Sequence, residues 1–370
     1  MFSNFRRTLG RVHTNLGGWR SNKRIVVIES DDWGSIRMPS KKVFKTLIDK
    51  GIQVDKSSYC RFDSLESNTD LECLFNSLIS YKDFKGNHPI ITANTVVANP
   101  DFKKIKGCNF LNYFYEPFPE TLKKYPNHDN VLNLYKEGLN DGIFIPQFHG
   151  REHVNIEMWM NLINTNRDFK IAFENKMWGL SNDIFPNLKS IQATFDSNKD
   201  KMLKESICSG LDLFEEIFGF KSNSFIANNF IWNSSLEETL AKKGVVHLQG
   251  MKYQKLPKVK NQPRKMIRHH LGEKNKHNQI YSIRNCSFEP STDGQGFEKT
   301  IKEIESAFFW GKPAIISSHR INFIGEIVEK NREKNIIEFK KLIKTILIKW
   351  PEVEFMDTMS LDKFIRNYYE

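Results

Sequence analysis

Asp31 and Asp32 stand side by side, and His149 and His153 stand four residues apart. Neighbouring carboxylates repel unless a cation or a shared proton holds them, so the first pair predicts either metal binding or divided acid and base roles. Two imidazoles at that spacing face the same way if a helical turn carries them, and can then ligate one ion. A third candidate, His319, leads into Arg320-Ile321-Asn322. Each has an ordinary explanation by itself, since aspartate caps helices and solvated turns and a lone histidine is usually structural. Their placement argues otherwise. Asp31-Asp32 follows the apolar run RIVVIES, His149 follows GIFIPQF and His319 follows PAIISS. Titratable groups delivered by separate strand ends to one face are hard to explain as packing. His149-Gly150-Arg151-Glu152-His153 also fits H-x-x-E-H, with Glu152 as the base of a zinc peptidase. That pattern belongs inside a helix, whereas Gly150 and the preceding strand predict a loop or a helix start.

The elements that must position these residues alternate between short apolar runs and helix-period segments, the pattern of a mainly parallel α/β sheet. Expected strands are Arg24–Ser30, Pro89–Val97, Gly142–Phe148, Ser190–Phe195, Ser224–Ala227, Val245–Gln249, Ile280–Arg284, Ala314–Ser318 and Val353–Met356. Asp200–Phe218, Phe297–Trp310 and Ile327–Trp350 carry single apolar stripes and read as helices that cover a core. The expected organisation is a basic lead-in over 1–23 and a single domain over 24–370. Insertions are expected near 102–135, rich in aromatics and prolines, and near 252–277, dense in Lys, Arg and His.

At 370 residues with 39% hydrophobic and 27% charged side chains, the chain reads as an ordinary globular protein able to bury a large core. Lys and Arg outnumber Asp and Glu by 55 to 44, so the surface favours anionic partners such as carrier-linked glycans. Aromatic residues are too sparse in the basic segment for nucleic acid to be an expected partner. The five cysteines are scattered and form no C-x-x-C pair, which points to a reducing compartment. Without an apolar signal run the expectation is a cytoplasmic protein, and the basic start offers peripheral contact with an anionic membrane as the alternative.

The sequence resembles the polysaccharide deacetylases, carbohydrate esterases sharing the NodB-type fold, over roughly Arg24 to Arg366. Their first motif, T-F-D-D-G, is similar to Glu29-Ser30-Asp31-Asp32-Trp33-Gly34, and their second, H-[ST]-x-x-H, to His149-Gly150-Arg151-Glu152-His153. The closest flavour is a divergent polysaccharide (de)acetylase branch of surface-glycan gene clusters. The resemblance implies an irregular (β/α)7-type barrel, one divalent ion on Asp32, His149 and His153, Asp31 as general base and His319 as general acid. It implies removal of an N- or O-linked acetyl group from a sugar, polysaccharide or carrier-linked glycan. Mixed Asp/His ligation suits zinc, and also Co, Ni, Mn or Fe. The family's third motif, an Arg-x-Pro segment that orients the aspartate, is absent from Ser224–Trp232, leaving Arg37, Arg284 or Arg320 to supply the partner. Trp33, Arg37, Asn94, Asn228, Trp232, Arg320 and Asn322 are the expected substrate-binding residues. A glycoside hydrolase on a related barrel, or an inactive carbohydrate-binding protein, is the alternative.

Overall fold

Ile25, Val26, Val27 and Ile28 are each at most 1% exposed, so the first strand is covered on both faces, as parallel strands in an α/β protein must be. The computed structural model describes residues 10–180, 183–188 and 191–369. Its main strands are β1 (Ile25–Trp33), β2 (Ile91–Thr95), β3 (Phe144–Phe148), β4 (Ser224–Ile226), β5 (His247–Gly250), β6 (Ile280–Ile283) and β7 (Ala314–His319). They lie in the order β6-β5-β4-β3-β2-β1-β7, all parallel. Glu354–Met356 pairs with the start of β1.

The segment after β6 returns the sheet to its beginning. Ile280–Ile283 pairs with β5, whereas Cys286–Ser287, only a few residues on, pairs with β7. Between them the Arg284 amide donates to the Gly250 carbonyl at 2.9 Å, and the Asn285 amide to the Ile315 carbonyl at 3.1 Å. One extended stretch thus touches β5 with its first half and β7 with its second, closing the seven main strands into an irregular barrel.

The helices bury the outside of this barrel. α1 (Asn68–Ile79), α2 (Val131–Asn140), α4 (Phe297–Phe309) and α5 (Glu329–Lys349) share one core with Val26, Ile28 and Ile316. α3 (Asp200–Phe218) places Leu203, Ile207, Leu211 and Phe214 against Phe148, Phe225 and Leu248. Each such buried aliphatic side chain contributes about 1.5–3 kcal/mol. The α1 start is fixed by Ser67 and Asp70, which cap each other's backbone amides.

One expected strand is absent: residues 191–195 form turns, and Ser190 lies outside the described residues. The apolar residues there, Ile191, Ala193 and Phe195, are buried by packing without a strand partner. The aromatic segment contributes a short antiparallel ribbon, Ala98–Pro100 with Tyr115–Pro117, and the basic one another, Tyr253–Lys255 with Met266–Arg268. Among the described residues no helix is long and apolar enough to cross a membrane.

Candidate active site

β1 ends irregularly, and the irregularity places both aspartates. Its pairing with β2 runs regularly to Ser30↔Ala93, then slips, so that Trp33 meets Thr95 and Asp31 and Asp32 together span Asn94. Consecutive strand residues normally point to opposite faces; the extra residue of a bulge, with Asp32 at φ +76°, lets both carboxylates line one cleft.

His149 begins the loop after β3, where Gly150 adopts φ +113°. No helical turn carries the pair, because residues 149–155 are irregular and the next helix starts at Ile156. The two imidazoles converge nonetheless, with ring centres 5.2 Å apart. Glu152 points away from them: it is fully buried, ion-paired to Arg151 at 2.6 Å and bonded by Ser206, so it is no peptidase base.

The Nε2 atoms of His149 and His153 face Asp32 Oδ1 at 3.4 and 3.0 Å. That oxygen is buried without an aligned hydrogen bond. His149 turns its Nδ1 to the Ile226 carbonyl at 3.0 Å, where Nδ1–H donates and leaves the Nε2 lone pair facing the cluster. Burial pushes His153 down to about 4, Arg37 adding to the effect against the pull of Asp32, so its imidazole is neutral at physiological pH. Asp32 is desolvated, but Arg37 holds its carboxyl well below the usual carboxylate range. A carboxylate and two imidazoles with ligand atoms within 4.8 Å of one another are the donor set and spacing a divalent ion requires.

Asp31 has a different set of partners. Arg284 grips it with both terminal nitrogens at 2.7 Å while its Nε donates to Glu29 Oε2 at 2.7 Å, and Asn94 donates to Asp31 Oδ1 at 2.8 Å. Burial raises the Asp31 carboxyl, but Arg284 overrides it and brings it down to about 2. Of the three arginines expected to compete for this role, Arg284 fills it. Arg37 binds Asp32 Oδ2 at 3.0 Å, and Arg320, fully buried, ties together Asp63, Glu66 and the Ser35 carbonyl.

His319 is level with Asp31 across the β1–β7 pairing, its Nε2 at 3.9 Å from Asp31 Oδ2. Its Nδ1 binds Glu289 Oε1 at 2.6 Å. Desolvation opposes its charge, but Glu289, Asp32 and Asp31 outweigh that and raise it to about 10. Asn322 donates to Glu289 Oε2 at 2.9 Å, holding this carboxylate in place.

The cleft measures 570 Å³, and of the expected substrate residues only Arg37 lines it. Trp33 is fully buried, edge-on to Phe144 with its Nε1–H on Ser30, and belongs to the core. Trp232 is 3% exposed and donates to Glu237. Asn94, Asn228, Asn322 and Arg320 are fully buried too; Asn228 braces the His149 carbonyl at 2.9 Å. The strand-end asparagines act on the site from behind, Asn94 on Asp31, Asn228 on the His149 carbonyl and Asn322 on Glu289. The aromatic surface comes instead from Tyr59 and Phe230, which sit in single helical turns, Ser58–Phe62 and Asn228–Phe230, too short to carry a spacing signal. Glu289 carries no sequence mark, nor does Gln249, whose Oε1 accepts from Asn94 and Arg284 behind Asp31; Glu29, a charge inside an apolar strand, is the visible hint of a buried partner.

No protein-family model and no curated protein matches this chain. Among solved structures, it is similar to a 4-alpha-glucanotransferase from Thermococcus litoralis, with 10% identity, 91% of this chain and 40% of that one covered, and a TM-score of 0.45. A probable polysaccharide deacetylase from Pseudomonas aeruginosa PAO1 is 9% identical, with 94% and 92% covered and a TM-score of 0.45. A family 4 acetyl xylan esterase from Clostridium thermocellum, in complex with cobalt, is 10% identical, with 92% and 91% covered and a TM-score of 0.35. At such distances the barrel assignment stands on the strand order and register of the chain itself.

Proposed function

We propose that this chain is a metal-dependent hydrolase that removes an N- or O-linked acetyl group from a sugar, polysaccharide or carrier-linked glycan, in surface-glycan biosynthesis. The observation that carries the reading is the buried Asp32, His149 and His153 cluster sharing one cleft with an ionised Asp31 and a protonated His319. Asp32 Oδ1 and the two Nε2 atoms would hold the ion, and the absence of a thiolate suits zinc without excluding Co, Ni, Mn or Fe. Bound there, a divalent ion supplies the Lewis acidity that acidifies a water toward a pKa of ~7 and polarises an acyl carbonyl.

Asp31 accepts the proton of the attacking water. Arg284 and Asn94 fix the carboxylate and keep it ionised, and the low proton affinity this imposes limits it to an acidified water. His319 donates its Nε2 proton to the departing amine or alkoxide, with Glu289 holding the opposite ring nitrogen. Tyr59 and Phe230 offer aromatic faces to the sugar. Acetate release from acetylated oligosaccharides tests the reading. Activity should vanish with a chelator and return with added divalent metal, and Asp31→Asn should lower it about 10²–10⁴-fold. Turnover indifferent to chelation, or an Asp31→Asn variant as fast as the parent, would remove the assignment.

A further inference from the structure

One cation on the wall of the active-site cleft has no acid. Of the charged groups that line this 570 Å³ space, Asp31 is held by Arg284, Asp32 by Arg37 and His319 by Glu289, while Arg264 directs both terminal nitrogens to Asp196 at 3.0 and 2.7 Å. Lys255 is different. Its ammonium reaches only the Asn229 carbonyl, at 3.5 Å, which is the outer limit of a hydrogen bond. Among the described residues it forms no ion pair, not even with Asp183, which lines the cleft at its exposed rim. The side chain is half-buried, and the charge that acts on it is that of Arg264, a second cation, so burial and Arg264 together push it down. A partly desolvated ammonium with one long contact to a neutral oxygen lacks the anion that would offset its burial.

The residue that this lysine leans on belongs to the cleft as well. Asn229 (φ +56°) and Phe230 (φ +58°) are consecutive left-handed residues, a backbone that asparagine tolerates but that a bulky residue adopts only when its surroundings impose it. Both flanks of the turn are fastened. Asn228 braces the His149 carbonyl at 2.9 Å, and Ile231 pairs with Lys255, whose carbonyl accepts from the Trp232 amide at 3.1 Å. The turn that steadies a candidate metal ligand thus brings Asn229, the Phe230 ring and Lys255 to the same cleft. The Asn229 side-chain amide makes no hydrogen bond among the described residues. One ammonium and one amide N–H beside an aromatic face suit a singly charged, acceptor-only group on a sugar ring, which is a carboxylate; a phosphoryl dianion would leave half its charge unmet.

We propose that Lys255 and Asn229 bind the carboxylate of a hexuronate unit at or next to the acetylated residue, so that the substrate is an acetylated acidic glycan. The place of the acetyl group rests on the hydrolase reading; the carboxylate subsite does not. Calorimetry of galacturonate, glucuronate and mannuronate oligosaccharides with the full-length protein, each against its methyl ester, tests it, because the ester keeps the ring and removes the charge. At least one acid should bind about tenfold more tightly than its ester. Lys255→Gln should bring the two together, and Lys255→Arg should keep most of the difference. Asn229→Asp, which sets a carboxylate beside the ammonium, should abolish the preference too, and it decides alone should Lys255→Gln misfold by circular dichroism. No binding of any acid, equal binding of acid and ester, or a preference undiminished in these variants, as expected of a carboxylate seated on the metal, each overturns the proposal. An acid preference lost in Lys255→Gln, with no acetate released from acidic or neutral acetylated sugars, would leave the subsite standing and reject the hydrolase. Acetate release from acid and methyl ester with equal kcat/KM would keep the hydrolase and reject the subsite.

Discussion

At the scale of single residues, the site separates two carboxylates by giving each its own cation. Arg284 supplies from the barrel seam what was expected of an Arg-x-Pro segment near Ser224–Trp232, and Arg37 serves Asp32. His319 has the opposite problem, since burial favours its neutral form and only the acids around it, Glu289 first, keep it charged. Because its folded value of about 10 lies above the ordinary 6.5, the charged pair stabilises the fold fully below 6.5 and loses that contribution as pH rises through 10. If His319 is the proton donor, acetate release should persist through neutral pH and fall on an alkaline limb near 10. Glu289→Gln removes the main source of the raised value, so that limb should move at least two units toward acid, about 2.7 kcal/mol in the proton affinity of the ring. A pH–rate profile unchanged by the substitution would place the proton on another group.

At the scale of elements, the bulge that ends β1 depends on a backbone few residues tolerate. Gly34 follows at φ +77°, its amide bonded to Glu66 Oε1 at 2.9 Å, and a Cβ there would lie 2.3 Å from the Val96 carbonyl oxygen. Gly34→Ala therefore has to move either the β1 end or the β2 end, on top of about 1–3 kcal/mol of backbone strain. The expected result is a lower denaturant midpoint together with weaker metal retention in elemental analysis, because Asp32 lies two residues upstream. Loss of stability with full metal content would show that the bulge does not position Asp32. The sequence made the two aspartates visible, but strict alternation of strand residues would have sent one of them into the barrel wall. Similarly, the spacing of His149 and His153 suggested a helical turn, and an irregular loop achieves the same convergence.

At the scale of the molecule, closure of the barrel and construction of the site are one event. Arg284 clamps Asp31 from the point where the chain crosses from β5 to β7, and Asn285 holds that crossing. Its side-chain oxygen accepts from the fully buried Ile315 amide at 2.9 Å, and its Nδ2 donates to Asn15 and the Pro313 carbonyl. Asn285→Ala should cost about 1–3 kcal/mol by leaving a buried donor unpaired. Urea unfolding should then show a lower midpoint at an unchanged slope. An unaltered midpoint would mean that the seam is held elsewhere.

The sequence by itself determined most of the strands, because short apolar runs have few other ways to bury themselves, although the apolar run at 191–195 buries itself as turns, and it determined the types of residue at the strand ends. It therefore made Asp31, Asp32, His149, His153 and His319 legible as candidates. Only the tertiary structure decided which arginine serves which acid and which polar residues face the cleft. Arg37, Arg284 and Arg320 are chemically equivalent in a sequence, and a partner contributed by a segment more than two hundred and fifty positions away leaves no local trace. The same holds for Trp33 and Trp232, whose burial is set by what packs over them from distant parts of the chain.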